Sequence, residues 1–355
     1  MVYLLLLAGV FMGWSLGTND GANAFGTAVA TGVIKYKHAI IIIAVFCILG
    51  ACLAGAGNLT SVSGLATSNG VMASPEDLNE VETEEDEQKL ILKSALKAAI
   101  IFLCSGITVF VMSYLKFPVS ANQSITGAII GWGLCYADYS DPAVLAVNMP
   151  QIGKFASTWL LNPLGAAVIS FTIVVLANKF IIPHLTKLNH YDIMVKIGYL
   201  IAGGLASYSI GMNSSANVTA LYFDGVNDGI QANLLTNPTL TAAIGGVAIA
   251  LGVLTYSKKV MMTVGNSIAP LTQIEGFLVV IAMALTILIM GDTMGIPVST
   301  SQAVVGAVVG AGITKGIRNV NFGVFKNIAI AWVSSPLMAG VLTYIIAMAT
   351  RGFFG

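Results

Sequence analysis

The sequence predicts an all-α integral membrane protein: two inverted-topology repeats of about five transmembrane segments each, with broken helices or re-entrant hairpins at the midplane. Three observations carry this expectation. Charge is scarce and absent over long runs, two sequence blocks recur in the same order, and the loops that follow equivalent segments carry opposite charge.

The 355 residues are 56% hydrophobic and 9% charged, against roughly 25% charged in a soluble domain. Residues 39–74 and 231–257 hold no charge at all. A spanning helix needs about 20 mostly apolar residues, and the chain offers about ten such windows without the polar faces of a soluble helix. Residues 1–10 lack a basic n-region and a clear cleavage site, so they read as a retained first span. The cysteines, Cys47, Cys52, Cys104 and Cys135, form no CxxC pair and have no histidine partner nearby, so they read as packing residues.

Repeats come next. LAGVFMGWSLGTNDGAN (7–23) matches IAGGLASYSIGMNSSAN (201–217), and PVSANQSITGAIIGWG (118–133) matches PVSTSQAVVGAVVGAG (297–312). Trp159 and Pro163 pair more weakly with Trp332 and Pro336. The spacing between blocks is 15 residues longer in the first half, explained by an acidic insertion at 74–89 that reads as a solvated loop. The expected domains are a first repeat at 1–180, a cytoplasmic linker at 181–196 and a second repeat at 197–355.

The expected first-half spans are 2–33, broken near Gly17–Gly21, then 39–57, 95–115, 118–136 and 155–178. Those of the second half are 197–222, also broken, then 240–256, 276–291, 297–314 and 328–349. The blocks at 118–136 and 297–314 are also open to a re-entrant reading. An odd number of crossings per half inverts the second half. Loop charge agrees: Lys35 and Lys37 stand where the second half has Asp224 and Asp228. Asp138 and Asp141 stand where it has Lys315, Arg318 and Lys326. Basic loops lie on the cytoplasmic side, so both termini are expected outside the plasma (inner) membrane.

Polar residues at membrane depth face cavities and pathways. Asn19, Asp20 and Asn23, with their second-half counterparts Asn213, Ser214 and Asn217, offer hard oxygen ligands suited to a small cation. The Pro-Val-Ser blocks each start a helix with free N–H groups. Ser120, Asn122, Gln123 and Ser124 in one, and Ser299, Thr300, Ser301 and Gln302 in the other, suit a tetrahedral oxyanion. No Lys or Arg falls in mid-span. An anion there meets Asp20, a like charge, and the repulsion in low dielectric amounts to several kcal/mol. A co-bound cation relieves it, which favours cation-coupled symport over uniport. Sodium fits the oxygen ligands, with a proton on Asp20 as the rival, and no cofactor is expected.

At GTNDGANAFGTAVATGV (17–33), the two Pro-Val-Ser blocks and FKNIAIAWVSSPLMAG (325–340), the chain resembles the inorganic phosphate transporter (PiT) family of secondary transporters. The resemblance covers nearly the whole chain. It implies uptake of inorganic phosphate driven by sodium or protons, with Asn19, Asp20 and Asn23 near cation and substrate and Ser120 and Ser299 in the substrate site. Many members have a second Asn-Asp pair where this chain has Asn213–Ser214, and His where it has Gln123 and Gln302. Animal members carry Glu at the places that align with Cys47 and Val280. Sulfate and proton coupling are therefore the alternatives within this class. A channel would need a filter that the sequence lacks. An enzyme would need a constellation that His38, His184 and His190, all at span ends, do not form. A homodimer is compatible with this design; a nucleic-acid partner is not expected.

Overall fold

The computed structural model describes residues 2–67, 83–136, 149–184, 188–223, 234–294 and 298–354. Most of the 74–89 insertion, Pro297, Asp138, Asp141, Asp224 and Asp228 lie outside them.

Every extended element among the described residues is helical. In chain order these are α1 (Leu6–Ala30), α2 (Tyr36–Ala54), α3 (Leu59–Thr67), α4 (Glu84–Tyr114), α5 (Ala121–Tyr136), α6 (Met149–Phe180) and α7 (Leu188–Ser214). Then come the short turn α8 (Ala216–Thr219), α9 (Pro238–Tyr256), α10 (Lys258–Asn266), α11 (Gln273–Met294), α12 (Thr300–Ile313) and α13 (Phe322–Phe354).

Seven stretches of the described residues are long and apolar enough to cross a membrane, against about ten apolar windows expected from hydropathy. The three not among them are α1, α5 and α12. In α1, polar residues from Ser15 to Asn23 dilute an otherwise apolar 25-residue helix. Helices α5 and α12 have 16 and 14 residues, about 24 and 21 Å at 1.5 Å per residue. A hydrocarbon core is about 30 Å thick, so neither crosses it alone.

The helices differ from the sequence expectation at four places. Helix α1 runs unbroken through Gly17–Gly21. Those glycines serve close approach instead: the α9 backbone at Ile249 and Val253 lies against Gly17, and Ser257 lies against Gly21. In the second half the helix assignment lapses at Ser215, which keeps helical angles, and the backbone leaves the helical region at Thr219 before a final 3-10 turn. Residues 84–89 are the first turns of α4 rather than loop. The Thr83 hydroxyl accepts from the Asp86 amide at 3.2 Å, and Glu84 to Glu87 complement the helix dipole. Helix α7 likewise begins at Leu188, inside the stretch expected to be a linker.

Packing fixes the directions. Phe11 lies against Gly106, the rings of Trp14 and Phe110 are 5.2 Å apart, and Asn19 meets Ser113. Helix α4 thus runs parallel to α1 and ends beside its middle. Helix α5 then turns back alongside α4, with Ser105 bonding the Ser124 carbonyl, and packs parallel to α13. Gly127 touches Pro336 and Gly131 touches Gly340. The other pair mirrors this. Helix α11 starts beside the end of α1, where Thr27 bonds the Gly276 carbonyl, and α12 returns to the same end, where Lys315 meets Glu275 at 2.6 Å. Gly306 and Gly310 of α12 pack on Pro163 and Ala167 of α6. Two helical hairpins therefore enter from opposite ends of the bundle, and their tips meet at the middle of α1.

The long helices α6 and α13 expose Leu160, Leu164 and Val168, and Val333, Leu337 and Val341. Apolar faces of this extent are a liability in water and are the ordinary surface of a helix in lipid.

Candidate functional site

Each hairpin tip is fastened by an asparagine. The Asn19 side-chain oxygen accepts from the Val119 amide at 3.0 Å. Its nitrogen donates to the Phe117 carbonyl and the Ser113 hydroxyl, both at 2.9 Å. Asn213 treats Val298 in the same manner, accepting from its amide at 3.0 Å and donating to its carbonyl at 2.7 Å. Both amides had been expected to face a cation; both are instead engaged by backbone. They hold the extended residues ahead of each helix, where free polar groups would otherwise be buried unpaired.

The helix starts are capped locally. Ser299 accepts from the Gln302 amide at 3.2 Å, and Ser120 accepts from the Gln123 amide at 3.3 Å. Two further clamps reach the tips from α13 and α6. Trp332 donates to the Pro118 carbonyl at 3.0 Å, and Asn162 donates to the Ser299 carbonyl at 2.6 Å. Trp159 and Trp332, and Pro163 and Pro336, recur weakly in the sequence, whereas Asn162 has no matching amide in the second half. It sits one residue before Pro163, inside α6, and its second-half counterpart, Ser335, bonds the Trp332 carbonyl instead.

Asp20 is the charged centre. It is 4% exposed. Ser301 donates to its carboxylate at 3.0 Å and Asn23 at 3.1 Å, while Thr300 and Ser214 line the same space. Asn23 reaches Thr300 and Ser301 at 3.0 and 3.1 Å, which ties α1 to the tip of the second hairpin. The donors are all neutral, so the carboxylate is hydrogen-bonded without being charge-paired.

Beside it lies a small cavity among buried residues, lined by Asp20, Ser120, Ala121, Asn122, Ser214, Asn217, Val298, Ser299 and Thr300. Residues expected in two separate sets, one for cation and one for anion, are here in one place. The N-terminal ends of α5 and α12 both open on it. Asn217 is 2% exposed, and its side-chain oxygen has no hydrogen-bond partner; the Asn23 oxygen is in the same state. Buried unpaired acceptors are costly and call for a donor or a cation. The free space is about 10 Å³, room for about one water molecule.

Three expected site residues are elsewhere. Gln123 and Gln302 line a different space, an apolar cleft of about 840 Å³ between α5, α6, α12 and α13. They sit one helical step past the residues that face Asp20, so their side chains leave on the far side. Ser124 bonds back to the Ser120 carbonyl within its own helix.

Comparison with known proteins gives a consistent result. The phosphate transporter family model matches residues 16–343. A candidate phosphate permease of Pyrococcus horikoshii is 26% identical, with 97% of this chain and 96% of that protein covered. One from Haemophilus influenzae is 28% identical, with 100% and 97% covered. A solved sodium-dependent phosphate transporter superposes with a TM-score of 0.74 at 22% identity, covering 99% of this chain and 98% of the other.

Proposed function

Because the chain belongs to the phosphate transporter family, we propose that it takes up inorganic phosphate together with a cation, sodium in the simplest case, by alternating access. The observation that carries this reading is the polar cavity at the meeting point of the two hairpins. It brings one carboxylate, the unpaired Asn217 oxygen and two helix N-terminal ends together at the middle of a membrane bundle.

The roles divide by chemistry. The Asp20 carboxylate and the oxygens of Asn23 and Asn217 are hard ligands for a sodium ion. The amide ends of α5 and α12, with Ser120, Asn122, Ser299 and Thr300, supply donors for phosphate oxygens. With room for about one water, the cavity as folded is too small for phosphate, so loading needs the hairpin tips to part. The two hairpins belong to the two sequence repeats and enter from opposite ends. We read them as re-entrant elements of an inverted repeat, an arrangement in which each opens the site to one side in turn. Both termini then face outward from the plasma membrane. The solved neighbour, named a sodium-dependent phosphate transporter, supports the choice of sodium.

Asp20→Asn tests the reading. The change keeps the size of the side chain and removes its charge. Cation-dependent phosphate uptake into proteoliposomes should fall to background while the purified protein keeps its elution profile and helical content. Uptake at the unmodified level would contradict it.

A further inference from the structure

Resting on the symport reading above, we infer that this chain moves one sodium ion with one monobasic phosphate, so that each transport cycle carries no net charge. The argument starts from the two halves of the cavity. In the repeat alignment Asp20 and Ser214 occupy equivalent positions, and in the structure both line the same space. One half brings a carboxylate. The other brings a neutral hydroxyl to the same cavity. Asp20 is the one ionisable side chain among the described residues that line the cavity.

Charge must balance in so buried a place, because an uncompensated ion in low dielectric is expelled or neutralised. Asp20 contributes one negative charge, which one sodium ion offsets. The unpaired oxygen of Asn217 adds a ligand to that ion and no charge. Each helix N-terminus acts as roughly half a positive charge. Two of them, α5 and α12, open on the cavity through Ser120 and Ala121 on one side and Ser299 and Thr300 on the other. Together they offset about one negative charge, that of monobasic phosphate. A second sodium ion would leave a surplus positive charge with no carboxylate to meet it. Dibasic phosphate would leave a surplus negative charge. Ser214 thus sets the count of ions, and restoring a carboxylate there should raise it.

The experiment measures radiolabelled sodium and radiolabelled phosphate entering proteoliposomes in parallel, at zero and at inside-negative membrane potential. The expected result is one sodium per phosphate and a rate that does not change with potential. Ser214→Asp should shift the ratio to two and make uptake faster at inside-negative potential. A ratio of two in the unmodified protein, or potential-driven uptake by it, would overturn the inference while leaving sodium symport intact. A folded Ser214→Asp protein that keeps a ratio of one would overturn the role given to Ser214. Phosphate entry without sodium entry would remove the symport reading itself.

Discussion

At the scale of single residues, the same side-chain type does two different jobs in this site. Asn19 and Asn213 bind backbone at the hairpin tips, whereas Asn23 and Asn217 keep an unpaired oxygen near the cavity. Removing the Asn19 amide strands the Val119 amide and the Phe117 carbonyl in a buried place, at about 1–3 kcal/mol for each group left unsatisfied. Asn19→Ala should therefore lower the thermal melting point in detergent as well as uptake; an unchanged melting point would contradict the clamp. Asn217→Ala removes no hydrogen bond made by its oxygen, so it should weaken sodium dependence with a much smaller effect on melting. The sequence showed that these four residues belong together, because they recur at equivalent places. It could not show which of them face a ligand, since an amide in a motif does not declare its partner. Gln123 and Gln302 illustrate the same limit: the repeat marked them, and one helical step sends them into the apolar cleft.

Elements explain why the site holds its shape. Helices α5 and α12 each press a pair of glycines on the proline-containing segment of a long helix from the other half. Without Cβ atoms the backbones meet directly, which is how helices associate tightly in lipid, where burial gives little drive. A leucine at Gly306 would run into the Pro163 carbonyl. Gly306→Leu should cost about 1–3 kcal/mol or prevent assembly, read as lost monodisperse protein on extraction. Normal yield and melting would show that the contact is not close. The base of the second hairpin has its own fastening. Glu275 accepts from the Thr272 amide at 2.7 Å and meets Lys315. Helix boundaries were less legible than helix existence. The acidic run ahead of α4 looked like solvated loop because charge dominates its composition. Thr83 followed by Asp86 three residues on was the local capping signal that outweighed it. The glycines in α1 looked like a break because glycine loosens a helix. They are instead where α9 crosses, a tertiary cause that no local pattern carries.

For the whole molecule, membrane class followed from composition and the pairing of the two halves from the repeats. Three of the ten expected windows became a polar helix and two short ones. Hydropathy alone cannot separate a span from a hairpin arm, because both are apolar; the length of the regular helix separates them. The topology makes a direct prediction, since Glu85 and Arg318 are both exposed and lie at opposite ends of the bundle. In a background lacking the native cysteines, Glu85→Cys should react with a membrane-impermeant maleimide on intact cells, and Arg318→Cys only after lysis. The reverse pattern would invert the orientation, and labelling of both from outside would overturn the opposed hairpins.

The central claim is that the buried polar cavity around Asp20 couples phosphate to a sodium ion. The measurement that tests it most directly is radiolabelled phosphate uptake into proteoliposomes under an inward sodium gradient, a proton gradient or neither, with excess unlabelled sulfate as competitor. Uptake driven by sodium and indifferent to sulfate is the predicted result. Uptake that follows the proton gradient, or collapses with sulfate, would contradict the assignment of the cation or of the anion respectively.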